Sequence, residues 1–395
     1  MRLLDYNEAL KILSEHTSLG DIETIGHDKA YLRVLREDIF ADRDYPPFNR
    51  SAMDGFAVSS KEIEKGTWYE WERVLPAGEN LELKPGEKVV RIMTGAPVPE
   101  GMDSVIKIED CKVEGNRVLF NFESIHSFLN IAKKGEDIQS GDKAISSGTL
   151  ILGPIHPLLA SLGKSKIKIT KPPRVRIIIT GSEIKGIENN PNAWEIRDSN
   201  SYTIQAYLSK YNIQPLSIDR VPDDKDALEE KITAGLDSDF LLLTGGVSMG
   251  ELDYVPNILE KLGVQQIFHK VSVKPGKPLW FGKKNRTLIF GFPGNPFSVQ
   301  TSVRLFFNHS LRKYLGLEEE APLKMPLGVT KTKKHKLTEF FPTIFQHENG
   351  KTVLVPETIN GSGDIMAGIN SHGIGIQPAN IYTINQDDYI DFYLY

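Results

Sequence analysis

The sequence predicts a multidomain α/β and β protein with a central doubly wound parallel α/β domain. Three observations predict it. Residues 172–320 alternate apolar β-type runs with helical patterns, as a parallel sheet with helices on both faces requires. Residues 42–140 carry short β runs cut by Gly/Pro turns, the pattern of a small all-β domain. Residues after about 321 return to such β runs. A chain of 395 residues is too long for one typical core, so two to four domains are expected.

In chain order, residues 3–16 read as an amphipathic helix with Asp5, Glu8, Lys11 and Glu15 among apolar positions. Residues 42–58 carry turn formers and then an apolar end. Tyr69–Val74, Lys88–Met93, Ser104–Glu109 and Arg117–Phe122 read as strands separated by Pro76-Ala77-Gly78, Pro85-Gly86 and Glu114-Gly115-Asn116. In the α/β region, Arg174–Thr180, Ile213–Asp219, Asp239–Leu243, Gln265–Val273 and Thr287–Gly291 read as strands. The helices expected there are Asn200–Lys210, Asp223–Leu236, Tyr254–Leu262 and Ser298–Tyr314, with Asp198, Ser199 and Asn200 as candidate caps. Residues 322–326 read as a linker. Gly328–Thr332, Pro342–His347, Thr352–Pro356, Ile374–Gln377 and Tyr389–Tyr395 read as β.

The bulk numbers exclude some functions. A net charge of −5 argues against a nucleic-acid coat or a membrane-surface binder. The single cysteine, Cys111, cannot form an internal disulfide, and the nine histidines show no metal-ligand spacing. The N-terminus lacks a signal-peptide core and no apolar stretch could span a bilayer, so a cytoplasmic protein is expected.

Candidate chemistry gathers at strand ends, where open parallel sheets bind ligands. Gly245-Gly246-Val247-Ser248-Met249-Gly250 follows one apolar run and Pro293-Gly294-Asn295-Pro296-Phe297-Ser298 follows another. Each leads into a helical pattern, where small residues expose backbone N–H groups to an anion. The first loop reads either as a turn needing glycine or as a phosphate cradle; it is neither a Walker loop nor a dinucleotide fingerprint. The prolines of the second imply a stiff loop of fixed shape. Between them, Lys270, Lys274 and Lys277 suggest an anion pocket, the first two on one face with Ser272 if 270–274 is a strand. Asp54, Asp137, Glu183, Asp223 and Asp253 are the acidic candidates, useful together if a divalent cation bridges them to phosphate. Asp253 reads equally as a helix cap. Thr94 ends a strand in the β domain. No Ser-His-Asp order stands out, so electrostatic handling of phosphoryl chemistry is favoured over nucleophilic catalysis.

Eight ordered segments resemble the molybdopterin molybdenumtransferase family. They are Ser51-Ala-Met-Asp54-Gly-Phe-Ala-Val, Arg91-Ile-Met-Thr94-Gly-Ala-Pro-Val-Pro, Gly135-Glu-Asp137-Ile, Thr180-Gly-Ser-Glu183, Arg197-Asp-Ser-Asn200, Thr244-Gly-Gly-Val-Ser-Met-Gly-Glu-Leu-Asp253, Lys274-Pro-Gly-Lys-Pro278 and Phe292-Pro-Gly-Asn-Pro296. The resemblance implies four domains: α/β (1–21 plus 172–321), small mixed α+β (22–41 plus 141–171), inserted β (42–140) and a C-terminal β-barrel (322–395). It implies a homodimer whose cleft joins the α/β domain of one subunit to the β domain of the other. The implied reaction takes adenylylated molybdopterin and molybdate (or tungstate), depends on Mg²⁺ and releases AMP.

By motif, the implied functional set is Asp54, Thr94, Asp137, Glu183, Asp223, Asp253, Lys270, Lys274, Pro293 and Pro296, with Glu183, Asp223 and Asp253 toward the metal. Two departures stand out. Ser182 occupies a position often Asp in the family, and Glu339-Phe-Phe-Pro342 lacks the arginine of Glu-Phe-x-Arg. Ser362 and Ser371 are further candidates. The same fold also admits a non-catalytic scaffold or a pterin adenylyltransferase, and an adenylyltransferase is a candidate partner.

Overall fold

The structure is a computed structural model and describes residues 3–247, 254–348 and 350–395. Its contacts divide the chain into two compact units: Met1–Arg36 with Gly148–His156 and Lys166–Tyr395, and Glu37–Ser147 with Pro157–Ser165.

The first unit opens with α1 (Tyr6–His16), started by a capping box in which the Glu8 N–H donates to Asp5 Oδ1 at 2.8 Å and the Asp5 N–H to Glu8 Oε2 at 3.2 Å. Tyr6, Ala9 and Leu13 form its buried stripe. The central sheet follows, with β1 (Val175–Thr180), α2 (Asn200–Ser209), β2 (Ser217–Val221), α3 (Lys225–Gly235), β3 (Phe240–Thr244), α4 (Tyr254–Lys261), β4 (Gln265–His269), β5 (Trp280–Lys284), β6 (Thr287–Phe292), α5 (Pro296–Ser302) and α6 (Asn308–Leu315). The strand order is β2-β1-β3-β6-β5-β4.

Helices cover both faces. Val175, Ile177, Ile179, Leu242 and Phe290 share one core with residues of α1, α2, α5 and α6. Ile178, Leu241, Leu243 and Ile289 share the other with Leu228 and Ile232 of α3 and Val255, Ile258 and Leu259 of α4. This is why the strands read as unbroken apolar runs: both faces of each must be dry.

The sheet is parallel only across β2, β1, β3 and β6; β5 and β4 run antiparallel. The expected all-parallel sheet is corrected there. Two residues, Asn285 and Arg286, join β5 to β6, with Asn285 at φ 54°. A two-residue link closes an antiparallel hairpin, whereas a parallel crossover needs a dozen residues or more. The expected helix over 298–314 is α5, a π-helical turn at Val303–Phe307, and α6. That turn carries Arg304, only 4% exposed, whose guanidinium donates to both carboxylate oxygens of Glu320 (2.7 and 3.0 Å) and to the Leu394 carbonyl (2.8 Å).

The C-terminal strands are β7 (Leu323–Pro326), β8 (Thr338–Glu348), β9 (Lys351–Pro356), β10 (Gly373–Gln377) and β11 (Tyr389–Leu394). Their ladders form one sheet that does not close fully into a barrel among the described residues. Val273–Lys274 lies parallel to the start of β8, followed by β10, β11 and β7, while β9 pairs with the far end of β8. A lone bridge, Leu327 to Leu354, reaches from beyond β7 toward β9. Backbone bonding continues past Pro326, where the Leu327 N–H donates to the Asp388 carbonyl at 2.9 Å.

In the second unit, Val74–Leu75, Val89–Ile92, Gly55–Val58 and Ser104–Lys107 form one sheet, and Trp68–Glu70, Arg117–Phe120 and Cys111–Glu114 another. The run expected as one strand, Tyr69–Val74, therefore passes from one sheet to the other. No described helix is long and apolar enough to cross a membrane.

Candidate functional site

The C-terminal ends of β1, β3 and β6 open into a cleft of about 1040 Å³ within the first unit. Thr180, Glu183, Asp223, Gly245, Gly246 and the Pro293–Pro296 loop all line it. The two loops flagged in the sequence are fastened together. The Gly245 N–H donates to the Phe292 carbonyl at 3.2 Å, and the Asn200 amide donates to the Gly294 carbonyl at 2.8 Å. The Gly245 amide is therefore committed to this link and not available to cradle an anion. Gly245 and Gly246 stand at φ +81° and +62°, and a Cβ on Gly245 would lie 2.6 Å from the Thr180 carbonyl oxygen. Both the backbone and the space demand glycine. In the second loop Asn295 precedes α5 and Pro296 takes its first turn, where a missing N–H costs nothing.

The cleft floor holds buried oxygens with no partner among the described residues: Thr180 Oγ1, Thr244 Oγ1 and Asn200 Oδ1. Buried polar atoms are almost always satisfied, so three at one floor point to a polar ligand. Asp223 and Ser182 bond reciprocally: the Ser182 N–H donates to Asp223 Oδ2 at 3.1 Å and the Asp223 N–H to Ser182 Oγ at 3.0 Å. Ser182 thus fixes the carboxylate. Glu183 is exposed at the cleft wall. Asp198, its side chain fully buried, accepts from the Ser201 N–H and hydroxyl and pairs with Arg220 at 3.0 Å. Of the three candidate caps Ser199 is the N-cap of α2, while Asp198 braces its first turn and has its charge neutralised. Ser248, Gly250 and Asp253 lie outside the described residues.

An adjoining cavity of about 570 Å³ shares Pro278, Pro293 and Asn295 with the cleft. It brings together Lys274, Lys277, Ser298 and Ser362. The Asn295 amide donates to Ser362 Oγ at 2.9 Å. Ser371 instead donates to the Gly368 carbonyl at 2.9 Å. Sequence reasoning missed Lys331, which lines this cavity beside Pro342. Its ammonium lies 3.0 Å from Glu339 Oε1, 3.1 Å from Gln377 Oε1 and 4.5 Å from the centre of the Phe341 ring. A two-residue strand offers no pattern that would single out this lysine.

Lys270 is not with the other lysines. It stands at φ +75° just after β4 and lines a separate cavity of about 700 Å³ with His269, Gln266 and Trp280. The strand expected over 265–273 stops at His269, because a positive φ breaks extended backbone. The shared lysine face is corrected accordingly.

In the second unit, Asp54 and Thr94 are brought together by the pairing of Gly55 with Ile92. The Thr94 N–H and hydroxyl both donate to Asp54 Oδ1, at 2.7 and 2.8 Å. These bonds, with the Arg91 charge nearby, hold the Asp54 carboxyl below its usual range. Asp137 is exposed in the turn after Ile131–Ala132, its N–H donating to the Tyr45 carbonyl at 3.0 Å. No cluster of three or more potential metal ligands occurs among the described residues.

Residues 4–163 match the family model described as the MoeA N-terminal region (domains I and II), and residues 176–313 that of the probable molybdopterin binding domain. The chain is 31% identical over 393 residues to the molybdopterin molybdenumtransferase of Synechocystis sp., covering 98% of both chains. It is 30% identical over 384 residues to that of Bacillus subtilis, covering 94% of this chain and 89% of the relative. The crystal structure of the molybdopterin biosynthesis moeA protein from Pyrococcus horikoshii superposes over 100% of both chains, with TM-score 0.83 and 28% identity. The chain therefore belongs to the molybdopterin molybdenumtransferase family and is an enzyme of molybdenum cofactor biosynthesis.

Proposed function

We propose that the protein inserts molybdate, or the similar tungstate, into adenylylated molybdopterin and releases AMP. The observation that carries this is a polar cleft with two exposed carboxylates and three oxygens unpartnered among the described residues, joined to a cavity holding three lysines. A flexible lysine suits a tetrahedral oxyanion as a point charge. Lys274, Lys277 and Lys331 would hold molybdate or the pterin phosphate. A water oxygen attacks the phosphoanhydride of the adenylylated substrate, AMP leaves and the pterin keeps its own phosphate; the two dithiolene thiols bind molybdenum and pass their protons to one molybdate oxygen, which leaves as water with no change in the oxidation state of the metal.

Mg²⁺ fits the donor set. Glu183 and Asp223 are hard oxygen ligands lining one cleft, and Mg²⁺ usually takes one or two carboxylates plus substrate oxygens. When bound it would neutralise charge on the phosphates. Asp253 is proposed as a further ligand by motif. Asp54, Thr94 and Asp137 would complete the site from a partner copy, in a cytoplasmic homodimer with the four-domain division given above. Incubation of the purified protein with adenylylated molybdopterin, molybdate and Mg²⁺ tests the reading. AMP release that tracks molybdenum incorporation is expected; no AMP above a blank overturns it.

A further inference from the structure

The polar cleft has apolar side chains at its mouth. Ile196 and Ile365 both line it, yet are 55% and 78% exposed. Both loops that carry these residues are internally braced. Residues 186–195 are closed by the pairing of Ile184–Lys185 with Ile196–Arg197 and by the Lys185–Glu195 ion pair at 3.2 Å. Within the loop the Asn192 N–H donates to Glu195 Oε2 at 2.9 Å and the Arg197 guanidinium to the Asn189 carbonyl at 3.2 Å. On the other loop, Asp364 accepts from the N–H groups of Asn360 and Met366, both at 2.9 Å. Ser362 docks that loop on the second anion loop, accepting at its carbonyl from the Phe297 N–H at 3.1 Å.

Braced loops that hold apolar side chains in solvent beside an unsatisfied polar floor fit a ligand with two ends. Phosphate suits the floor, and a flat, weakly polar ring suits the mouth. We infer that Ile196 and Ile365 form an apolar lip that grips the planar heteroaromatic end of the substrate, the purine of the adenylyl group or the pterin. The assignment rests on the cleft being the site of the adenylylated pterin. Apolar cover of a ring by these side chains is worth about a tenfold change in affinity.

Calorimetric titration of the full chain with AMP, neopterin and inorganic pyrophosphate tests it, using Ile196→Ser and Ile365→Ser. Both side chains are exposed, so neither change empties a core. A loss of about tenfold for AMP or for neopterin is expected, with pyrophosphate affinity unchanged. The ligand that responds identifies the ring. Equal losses for all three probes, or no change in any, overturn the lip and leave the cleft assignment standing. A shift in sedimentation of the variants without altered ring binding also overturns the lip, in favour of a surface covered by another protein chain. Wild-type protein that binds none of the three overturns the cleft assignment, and the lip with it.

Discussion

Asp54 receives two hydrogen bonds at one oxygen from a single residue, Thr94. Its folded carboxyl is held low, so it stays ionised throughout the neutral range and loses its charge only as pH falls through that lowered value. Thr94→Val keeps the backbone bond and removes the hydroxyl. The Asp54 pKa should then rise toward the ordinary carboxylate value, and AMP release should fall about tenfold. Asp54→Asn should cost about a hundredfold or more; single-turnover AMP assays check both, and an unaltered rate in Asp54→Asn removes this residue from the chemistry. Cys111 is the opposite case. Burial, then the charges of Asp110 and Glu109, push its thiol up to about 12, and its Sγ donates to the Lys107 carbonyl at 3.2 Å. At pH 8 only about one thiol in ten thousand is ionised, so labelling of the native protein by a disulfide reagent should be far slower than labelling in denaturant.

Between elements, α1 and α6 meet through Ser14 Oγ and His309 Nε2, 2.7 Å apart. Burial lowers the His309 pKa below 6.5. The unfolded chain therefore binds more protons between the lowered value and about 6.5, so stability falls as pH drops through that window. His309→Gln should flatten the dependence. Thermal unfolding between pH 5 and 7 measures it, and an equal slope in the variant refutes the assignment. In the second unit, a Cβ on Gly55 would lie 2.0 Å from the Ile106 carbonyl oxygen of the neighbouring strand. Gly55→Ala should cost about 1–3 kcal/mol by forcing the strands apart. A melting temperature within a degree of wild type would show that the strands yield without cost. The sequence located the elements of this sheet well because burial on one or both faces leaves a periodic trace. It misjudged Tyr69–Val74 because a strand that changes sheets keeps the same composition throughout.

For the whole molecule, the proposed dimer makes a distinctive prediction. Asp54→Ala and Glu183→Ala should each be inactive as homodimers. Mixed dimers carrying one change on each chain should recover about a quarter to half of wild-type activity, since one intact composite site remains. Absence of recovery in co-expressed, tag-purified mixed dimers would sink the shared-site arrangement. Lys331→Ala should raise the molybdate concentration needed for half-maximal AMP release about threefold to tenfold, with little change in maximal rate, because an oxyanion contact acts on binding.

The α/β sheet, its two dry faces and the strand-end loops were legible because hydrophobic periodicity and glycine or proline punctuation are local properties of the chain. The anion loops and the Asp54 and Thr94 motifs were legible too, as segments. What tertiary structure decided was who meets whom. The Gly245 amide is spent on Phe292, Ser182 clasps Asp223, Lys270 leaves the lysine group through one positive φ, and Lys331 joins it from 54 residues beyond Lys277. Sheet closure was also beyond reach: a closed barrel and an open sheet share the same alternating strands and differ in whether the edges pair. Such contacts depend on long-range geometry, which leaves no periodic mark in a sequence, whereas the elements that carry them are written residue by residue in the pattern of burial.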